Sequence, residues 1–516
     1  MIKFFIRYIS RYVFLSLLRV NVRRNLYENF KDLNFKQNNF VNYKIIKQYV
    51  LKHNFIYNLN IIDIHSFNFL LFYQKIGGKR GIELSKKNIF LWFNKYRYRI
   101  NFPWTEDYAS KRFINLVYSY DFICSISNFK EIKFINYILN FHIKRITFEI
   151  SKKENEDISS YDVLAFILIE CLKKNFNKNI VRKINEIINC QIDENSIHKS
   201  YNILEHAKFL NNLNEIRNIM LFFKIEIPQK LNNKILAMTS SLSSYRHDDF
   251  SLPLFNGCNN NHNKEIQNII DKEQFLKSKT LEKFKNGIAV YKDNNKALFF
   301  DAVQPTKFGF HKELSAGSLA LEISAGNEKL ITNCGGTEGS GKNPAYLKYS
   351  AAHSTIIINN TNVSEIKEGE INKNFPKKVI FESKNEDENI LLIGTHNGYI
   401  NNYRKICKRK IIINKKKNKF KGEDSIISTI SNIEKTVYHI RFHLVSGIST
   451  TVTENKKNII IKTKKNNIWV FKSNREIMIE KSIYVKDDKA IETSQIVISG
   501  ITSSLKNKIQ WSLEKI

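Results

Sequence analysis

The stretch FFDAVQPTKFGFHKELSAGSLALEISAGNEKLITNCGGTEGSGKNPAYLKYSAAHSTIIINNT, residues 299 to 361, decides how this sequence is interpreted. Strand-like runs, LALEIS, KLITNC and STIIINN, alternate in it with glycine-rich and polar connections. His311, Glu313, Asn333 and His353 lie in or beside those connections. Polar loop residues held by rigid strands are a common setting for a binding or catalytic site. The stretch therefore predicts a β-domain that carries a candidate site.

Runs of the same kind continue to the C-terminus. GIAVYKD, KALFFD, HIRFHLV, NIIIKT, IWVFK and SQIVISG recur at short spacing, with Asn, Lys and Gly turns between them. Such spacing is typical of stacked antiparallel sheets. We therefore expect residues 283–516 to form an antiparallel β-sandwich domain.

The preceding part of the chain has a helical pattern. From residue 95 to 257, apolar residues recur at three and four positions in segments such as SYDVLAFILIECLKK, and no proline occurs between Pro103 and Pro228. This pattern predicts helices packed in antiparallel pairs. Residues 258–282 are Asn-rich and weakly patterned, so they are expected to be a linker.

Length and charge narrow the function classes. A chain of 516 residues is expected to form two domains, and its 42% hydrophobic content is ample for globular packing. Lys and Arg outnumber Asp and Glu by 82 − 49 = 33, which suits a polyanionic partner. A general bias toward Asn, Ile and Lys explains the same surplus without a partner. The six cysteines stand singly, in neither a zinc spacing nor a dense disulfide pattern.

Residues 1–94 are expected to be a basic, helical segment packed on the helical domain. The only uncharged apolar run near the start, Tyr12 to Leu18, lies between Arg11 and Arg19. It is far shorter than the roughly 20 apolar residues of a spanning helix, and no signal-peptidase site follows it. Residues 1–30 therefore predict an amphipathic helix that packs on the protein or makes peripheral contact with a membrane.

Several motifs, in order, resemble the heparinase II/III family, in particular a bacterial branch of it. Leu319-Ala320-Leu321-Glu322, Thr332-Asn333-Cys334-Gly335 and Ala352-His353-Ser354-Thr355 match the frame of its C-terminal domain. Glu313-Leu314-Ser315-Ala316 stands where the family has His-x-His-Ala, so both of those histidines are missing. Pro103-Trp104 and Tyr245-Arg246-His247-Asp248 match motifs of the helical part. The match covers roughly residue 95 onward.

The resemblance implies a fold and a chemistry. The fold is α+β multidomain: an N-terminal incomplete (α/α) toroid, similar to alginate lyases, followed by the β-sandwich. The family's enzymes are polysaccharide lyases, which cleave a uronic-acid-containing chain by β-elimination. A site for this reaction must neutralise the uronate carboxylate, supply a base and protonate the leaving glycosidic oxygen.

Catalytic candidates come first from Asn195 to Arg217, where His198, Ser200 and Asn202 match a family segment. That alignment puts Glu205 at the position of the family's catalytic tyrosine. Tyr201 lies one helical turn earlier, and it is either a replacement for that tyrosine or an ordinary packing residue. Either Tyr201 or His198 is the expected base, and Asn202 is expected to bind substrate. The family's carboxylate-binding asparagine has no assigned counterpart, although Asn140-Phe141-His142 has suitable residue types.

Other candidates lie in the second half of the chain. Arg246 is expected to bind a uronate carboxylate and His247 to take part in catalysis; the alternative is a loop held by local Asp contacts. His353 matches a histidine that holds a structural zinc in some members, but its zinc partners align with Ser315 and Asn333, which are poor ligands. We therefore expect no metal and no cofactor. His353 is then a hydrogen-bonded histidine or a catalytic one, and His311 and Tyr399 are further substrate-binding candidates.

Two function classes remain open. One is a lyase acting on an acidic polysaccharide of the cell envelope. The other is a catalytically degenerate carbohydrate-binding or scaffold protein of the same fold. The missing tyrosine, histidines and aspartate favour the second class, whereas the retained His198, Arg246-His247 and His353 favour the lyase. Nucleic-acid binding is disfavoured because the lysines are spread through both domains and no recognition module is visible. The resemblance implies the cell envelope or periplasm, while the absence of a clear signal peptide leaves the cytoplasm open. The polysaccharide and the oligomeric state stay undetermined.

Overall fold

The computed structural model describes residues 10–16, 64–273, 281–283, 287–305, 313–337, 344–372, 374–431 and 434–516. The chain divides into two compact units. The first comprises Met1–Gln191 and Lys208–Ile235, and the second comprises Ile192–Ala207 and Leu236–Ile516. A helical N-terminal region and an antiparallel β-domain confirm the expected α+β multidomain class.

The helices before the β-domain follow one another with short connections. Along the chain they are Phe69–Ile76, Gly78–Tyr96, Tyr108–Tyr118, Tyr120–Cys124, Phe129–Ser151, Ser160–Leu172, Lys178–Gln191, Ile203–Phe222 and Gln229–Ser244. Two of them begin with a capping box, in which the N-cap side chain and an acidic residue three positions later satisfy each other's backbone N–H groups. The pairs are Asn128 with Glu131 and Ser159 with Asp162.

A buried arginine organises the first unit. Arg112 is fully buried and donates from Nε to His142 Nε2 at 2.8 Å. Its guanidinium carbon lies 3.9 Å from the ring centroid of Trp92 and 4.5 Å from that of Trp104. Burial, followed by the charge of Arg112, lowers the pKa of His142 well below its usual value. The Asn140-Phe141-His142 segment therefore serves packing here.

The N-terminal prediction lies mostly outside the described residues. Residues 10–16 are helical, and Arg11 Nη2 lies 2.8 Å from Glu149 Oε2 within the first unit. Phe14 stacks on Phe148, with ring centroids 4.1 Å apart. Residues 1–9 and 17–63 fall outside the description. Within the described ranges, none of the helices has the length and apolar character of a membrane span.

The second unit contains two large antiparallel sheets, with strands numbered along the chain. The first sheet has the order β1-β2-β3-β4-β5-β13-β18-β17, with β6 also paired to β13. Its strands are β1 Leu281–Lys283, β2 Gly287–Lys292, β3 Lys296–Ala302, β4 Leu321–Ala325, β5 Glu328–Thr332, β6 Ile356–Ile358, β13 Val437–Leu444, β17 Ile477–Lys486 and β18 Lys489–Ile501.

The second sheet has the order β14-β15-β16-β19-β12-β11-β10-β9. Its strands are β9 Val379–Asn385, β10 Asn389–His396, β11 Lys405–Asn414, β12 Lys419–Ser428, β14 Ser449–Val452, β15 Asn458–Lys462, β16 Ile468–Ser473 and β19 Lys506–Lys515. A separate two-stranded ribbon pairs β7 Ile366–Lys367 with β8 Glu370–Ile371.

The core of the second unit lies between the inner faces of the two sheets. Phe300 and Phe442 of the first sheet and Ile411 and Trp511 of the second belong to one buried cluster. Inward and outward residues alternate along β11 without a break, as expected of a strand with one face in a core. The sequence prediction of stacked antiparallel sheets is thus confirmed.

One segment differs from the prediction. Residues 258–282, expected to be a linker, contain the helix Asn263–Asp271. Ile266, Ile269 and Ile270 lie on its buried side at helical spacing. The Asn-rich composition obscured this short apolar pattern. The helical region also does not end in one step at residue 257, because Ile192–Ala207 groups with the β-domain.

Candidate functional site

A tight turn begins the candidate site in the second unit. Ile192 and His198 form an isolated antiparallel bridge. Inside the turn, Asp193 Oδ1 accepts hydrogen bonds from the backbone N–H groups of Asn195 at 2.9 Å and Ile197 at 2.8 Å. A short acidic side chain that binds following backbone N–H groups is a typical turn-forming device. The turn fixes Asp193 at the start of the segment that carries the sequence candidates.

Tyr201 occupies a constrained position after this turn. Its backbone has φ 50°, in the left-handed region that non-glycine residues rarely adopt. Its ring packs on Gly287 at the start of β2: a Cβ placed there would lie 2.8 Å from Tyr201 Cε1. Gly287 itself has φ 115°, so a side chain is disfavoured there by both space and conformation. The partly exposed tyrosine is therefore constrained by its own left-handed backbone and by its contact with Gly287.

The Tyr201 hydroxyl interacts with a carboxylate. It forms a side-chain hydrogen bond with Asp193. Burial, followed by the charge of Asp193, raises the pKa of Tyr201 above its ordinary value. Burial also raises the pKa of Asp193, against the opposing backbone hydrogen bonds from Ile197 and Asn195. The arrangement is a protonated phenol that donates to a carboxylate of increased basicity.

Asp301 and Tyr245 lie beside this pair. Asp301 on β3 stands opposite Ile288, the residue after Gly287, in the β2–β3 register. Its carboxyl is buried and accepts from the Val303 N–H at 3.1 Å. Burial raises the pKa of Asp301 to about 7. Tyr245 donates its hydroxyl to the Ile288 carbonyl at 2.7 Å and is itself buried. Asp301 is thus a buried acid that titrates near neutral pH.

His198 is neutral at physiological pH. Its Nδ1 accepts from the backbone N–H of Ser200 at 3.2 Å and lies 2.8 Å from Ser200 Oγ. Burial lowers the pKa of His198 to about 4. Because Nδ1 accepts, the neutral ring carries its proton on Nε2, which makes that nitrogen a donor. His198 is therefore arranged to donate a hydrogen bond, whereas the sequence interpretation also considered it as a base.

Asn202 caps the helix that follows. Its Oδ1 accepts from the N–H of Leu204 at 3.0 Å and of Glu205 at 3.3 Å, and the residue is buried. This is the usual N-cap role of asparagine. The predicted substrate-binding residue is therefore engaged in starting the helix Ile203–Phe222.

A buried carboxylate, Glu322 on β4, lies at the centre of a second network. Both of its oxygens are saturated by donors that are also buried. The donors are Leu254 N at 2.9 Å, Asn333 N and Nδ2 at 3.1 Å, Thr332 Oγ1 at 3.2 Å, and His247 Nε2 and Lys329 Nζ at 3.0 Å. Burial opposes ionisation, but Lys329 and the hydrogen bonds outweigh it and lower the pKa of Glu322 to about 2.

His247 and Arg246 belong to this supporting structure. The His247 side chain is fully buried, and its Nδ1 lies 2.8 Å from Ser324 Oγ. Arg246 donates to the carbonyl oxygen of Phe250 at 3.0 Å and to Gln267 Oε1 at 2.8 Å. These contacts fit the alternative, a loop held in place by local contacts, better than a site that binds a uronate carboxylate. The groups that hold the loop are the Phe250 carbonyl and Glu322 rather than the expected Asp side chains.

The remaining candidates are His353, Tyr399 and His311, and within the described part of the chain neither of the first two is hydrogen-bonded to Tyr201. Among the described residues, neither ring nitrogen of the buried His353 has a hydrogen-bond partner, and the ring packs on Gly317. This differs from the hydrogen-bonded histidine that was expected. Tyr399 lies in the sandwich core and donates its hydroxyl to the Thr361 carbonyl at 3.1 Å. His311 lies outside the described residues.

The segment Tyr245–Gly257 connects the two networks. Asn256 Nδ2 donates to the Tyr201 carbonyl at 3.4 Å, and Asn256 Oδ1 accepts from Ser315 N at 3.0 Å. Two residues earlier, Leu254 N binds Glu322. Sequence reasoning missed Asp193, Gly287 and Asp301 because their only signals were turn or strand-end positions.

Comparisons with known proteins address the family and the fold. Residues 279–512 match the family model described as Heparinase II/III-like, C-terminal. A search of curated proteins finds no significant match.

Solved structures resemble this chain over nearly its full length at low identity. A structure of Heparinase III matches with a TM-score of 0.73 at 12% identity, covering 99% of this chain and 90% of the other. Heparan sulfate lyase HepC from Pedobacter heparinus matches with a TM-score of 0.60 at 12% identity, with coverage of 98% and 88%. A Paenibacillus xanthan lyase gives 0.55 at 9% identity, covering 99% of this chain and 57% of its own. These likenesses establish the fold.

Proposed function

We propose that this chain, a heparinase II/III-like protein by its family match and fold, is a polysaccharide lyase that cleaves a uronic-acid-containing acidic polysaccharide by β-elimination. The observation that carries the proposal is the Asp193–Tyr201 pair, a partly exposed phenol hydrogen-bonded to a carboxylate and held against Gly287. This pair supplies a proton donor and a proton acceptor at one place, as β-elimination requires.

The proposed reaction assigns one proton transfer to each member of the pair. The Asp193 carboxylate takes the proton from C5 of the uronate, and the electrons of that C–H bond form the C4=C5 double bond. The bond from C4 to the glycosidic oxygen breaks, and the Tyr201 phenol protonates the leaving oxygen. The proton then passes from Asp193 to Tyr201 through their hydrogen bond, which restores the starting state.

The perturbed pKa values support this assignment. Tyr201 stays protonated at neutral pH, so its phenol holds the proton that the leaving oxygen requires. The raised pKa of Asp193 makes it a stronger base than an ordinary carboxylate.

The substrate class rests on charge and on likeness. The formal net charge of +33 favours an acidic polymer. Heparan sulfate lyase and xanthan lyase are among the solved structures that share the fold. We therefore propose an acidic polysaccharide as the substrate and leave its repeat unit to experiment.

One observation favours a second function, a carbohydrate-binding protein without catalysis. His247 and His353 are buried away from solvent, and Arg246 is engaged by Phe250 and Gln267. Fewer polar side chains are therefore available to bind the substrate carboxylate than the sequence analysis predicted. Binding of polysaccharide without product formation is the expected behaviour of such a protein.

Product chemistry separates the two functions. Purified protein is incubated with a panel of acidic polysaccharides, including heparan sulfate and xanthan, and with neutral dextran as control. A lyase generates an unsaturated uronate at the new non-reducing end. Ultraviolet absorbance detects its double bond, and mass spectrometry shows a fragment one water lighter than the fragment that hydrolysis of the same bond would give. Hydrolysis products, or binding with no product on any substrate, contradict the lyase proposal.

A further inference from the structure

The outward surface of the second sheet carries a row of cations that the candidate site does not use. We define this basic face as the outward side chains of Lys408, Lys410, Lys421, Lys506 and Lys508 on β11, β12 and β19. The alternating burial of these strands turns the neighbouring residues, such as Ile411 and Trp511, into the core. Lys421, Lys506 and Lys508 are exposed, and Lys408 and Lys410 are partly exposed.

Strand pairing places these lysines close together. Lys408 and Lys508 both pair with Ser425, one from each side, so they stand two strands apart in one row. Two strand spacings correspond to about 10 Å. Lys410 follows Lys408 by two residues on the same face of β11, so their Cα atoms are about 7 Å apart. The single carboxylate among them, Glu423, pairs with Lys410 in the register. The face therefore carries 5 − 1 = 4 net positive charges.

These lysines differ from those lysines of the same domain that form ion pairs. Lys416 pairs with Glu388 at 2.8 Å, Lys419 with Glu514 at 2.6 Å, and Lys481 with Glu492 at 3.1 Å. Within the described part of the chain, none of the five lysines of the basic face forms an ion pair. Lys457, Lys486 and Lys489, elsewhere in the described part of the domain, form no ion pair either, so the face is distinguished by the alignment of its five cations on neighbouring strands.

We propose that the basic face is a second, non-catalytic binding surface for a strand of acidic polysaccharide. Its charge complements a polymer with regularly repeated anions, and Gln510 and Ser512 beside the lysines are suited to sugar hydroxyls. The outward residues of β11, β12 and β19, all described, include no aromatic side chain, so the stacking platform of a single-stranded nucleic acid is missing there. The choice of polysaccharide as the polyanion rests on the proposed function.

A charge-neutralised variant tests the surface. Lys408→Gln, Lys410→Gln and Lys508→Gln are combined, and the matched control combines Lys457→Gln, Lys486→Gln and Lys489→Gln, exposed lysines outside the face. Affinity for long heparan sulfate chains is measured by titration at several salt concentrations. The face variant is expected to bind about tenfold more weakly and with a shallower salt dependence, since fewer counterions are released. The control is expected to stay within about twofold of the wild type.

The outcomes separate this surface from the proposed lyase activity. Selective loss of long-chain affinity in the face variant, with an unchanged turnover of short oligosaccharides, supports the proposal. The same selective loss in a protein that forms no unsaturated product refutes the lyase and retains the surface. Equal losses in the face variant and the control overturn the surface, as does a wild-type protein that binds single-stranded DNA more tightly than any acidic polysaccharide.

Discussion

The ring of Tyr201 lies directly against the backbone of Gly287, where a Cβ atom would approach Tyr201 Cε1 to 2.8 Å. The two residues come from segments 287 − 201 = 86 positions apart, the turn after Asp193 and the first residue of β2. This contact fixes the position of the phenol that we propose as the proton donor. It also offers a way to displace the phenol without changing it.

Gly287→Ala is expected to reduce turnover while leaving the tyrosine chemically intact. The added methyl group displaces the ring, and a misplacement of about 1 Å can cost a rate of about 100-fold. Gly326→Ala is the matched control, because Gly326 also has positive φ, 52°, but a Cβ atom added there would meet nothing within 4 Å. Equal turnover in the two variants would show that only backbone strain, and not the Tyr201 contact, is affected.

Glu322→Gln is expected to destabilise the β-domain strongly. The substitution leaves Lys329, which is buried and donates to Glu322 at 3.0 Å, without its counter-charge. Breaking a buried pair on one side costs about 3–5 kcal/mol. Urea unfolding measures the difference, with Glu480→Gln as control, since Glu480 pairs with Arg441 at a partly exposed site where about 0–1 kcal/mol is expected. A loss below about 1 kcal/mol at Glu322 would contradict the network's structural role.

His247→Ala is expected to lower stability and to spare catalysis in the protein that remains folded. The change removes one donor from Glu322 and leaves a cavity, at a cost of about 2–4 kcal/mol in the free energy of unfolding. Turnover per folded molecule, determined after correction by denaturation curves, should be near that of the wild type. A large fall in that corrected turnover at unchanged stability would restore the catalytic role that the sequence predicted for His247.

Asp301→Asn is expected to stabilise the protein more at high pH than at low pH. Burial raises the folded-state pKa of Asp301 to about 7 from its ordinary value of 3.8, so the folded state binds more protons than the unfolded state between those values. Wild-type stability from this group therefore falls as pH rises from about 4 to 7 and is constant above that. The uncharged variant escapes this loss, by up to about 4 kcal/mol at pH 8. Parallel unfolding curves at pH 4 and pH 8 measure it, and an equal difference at both would refute a raised pKa.

Much of the fold followed from local pattern. The run KALFFD is rich in apolar residues and lies in β3, which is buried throughout. The run HIRFHLV alternates polar and apolar residues and lies in β13. The helix Asn263–Asp271 was missed because its three buried isoleucines are embedded in Asn-rich sequence. Local periodicity therefore predicts an element best when its composition agrees with its pattern.

The site was only partly predictable, for a physical reason. His198, Tyr201 and Asn202 adjoin in sequence, so their proximity was visible. Glu322 looked like one residue of a strand, because its donors come from Leu254, His247 and Lys329, and their convergence depends on tertiary structure. Gly287 and Asp301 offered only their strand-end positions, since a positive φ and a burial-raised pKa are properties of the folded chain.

The most direct test of the proposed mechanism is the initial rate of unsaturated uronate formation by Tyr201→Phe beside Tyr245→Phe. Tyr201→Phe keeps the ring against Gly287 and removes only the proton that we assign to the leaving oxygen. Tyr245→Phe removes a buried hydroxyl that donates to the Ile288 carbonyl. We predict a loss of about 100-fold or more per folded molecule at position 201, with stability lower by no more than about 3 kcal/mol, and a near wild-type rate at position 245. A Tyr201→Phe protein as active as the wild type would contradict the assignment of Tyr201 as the acid.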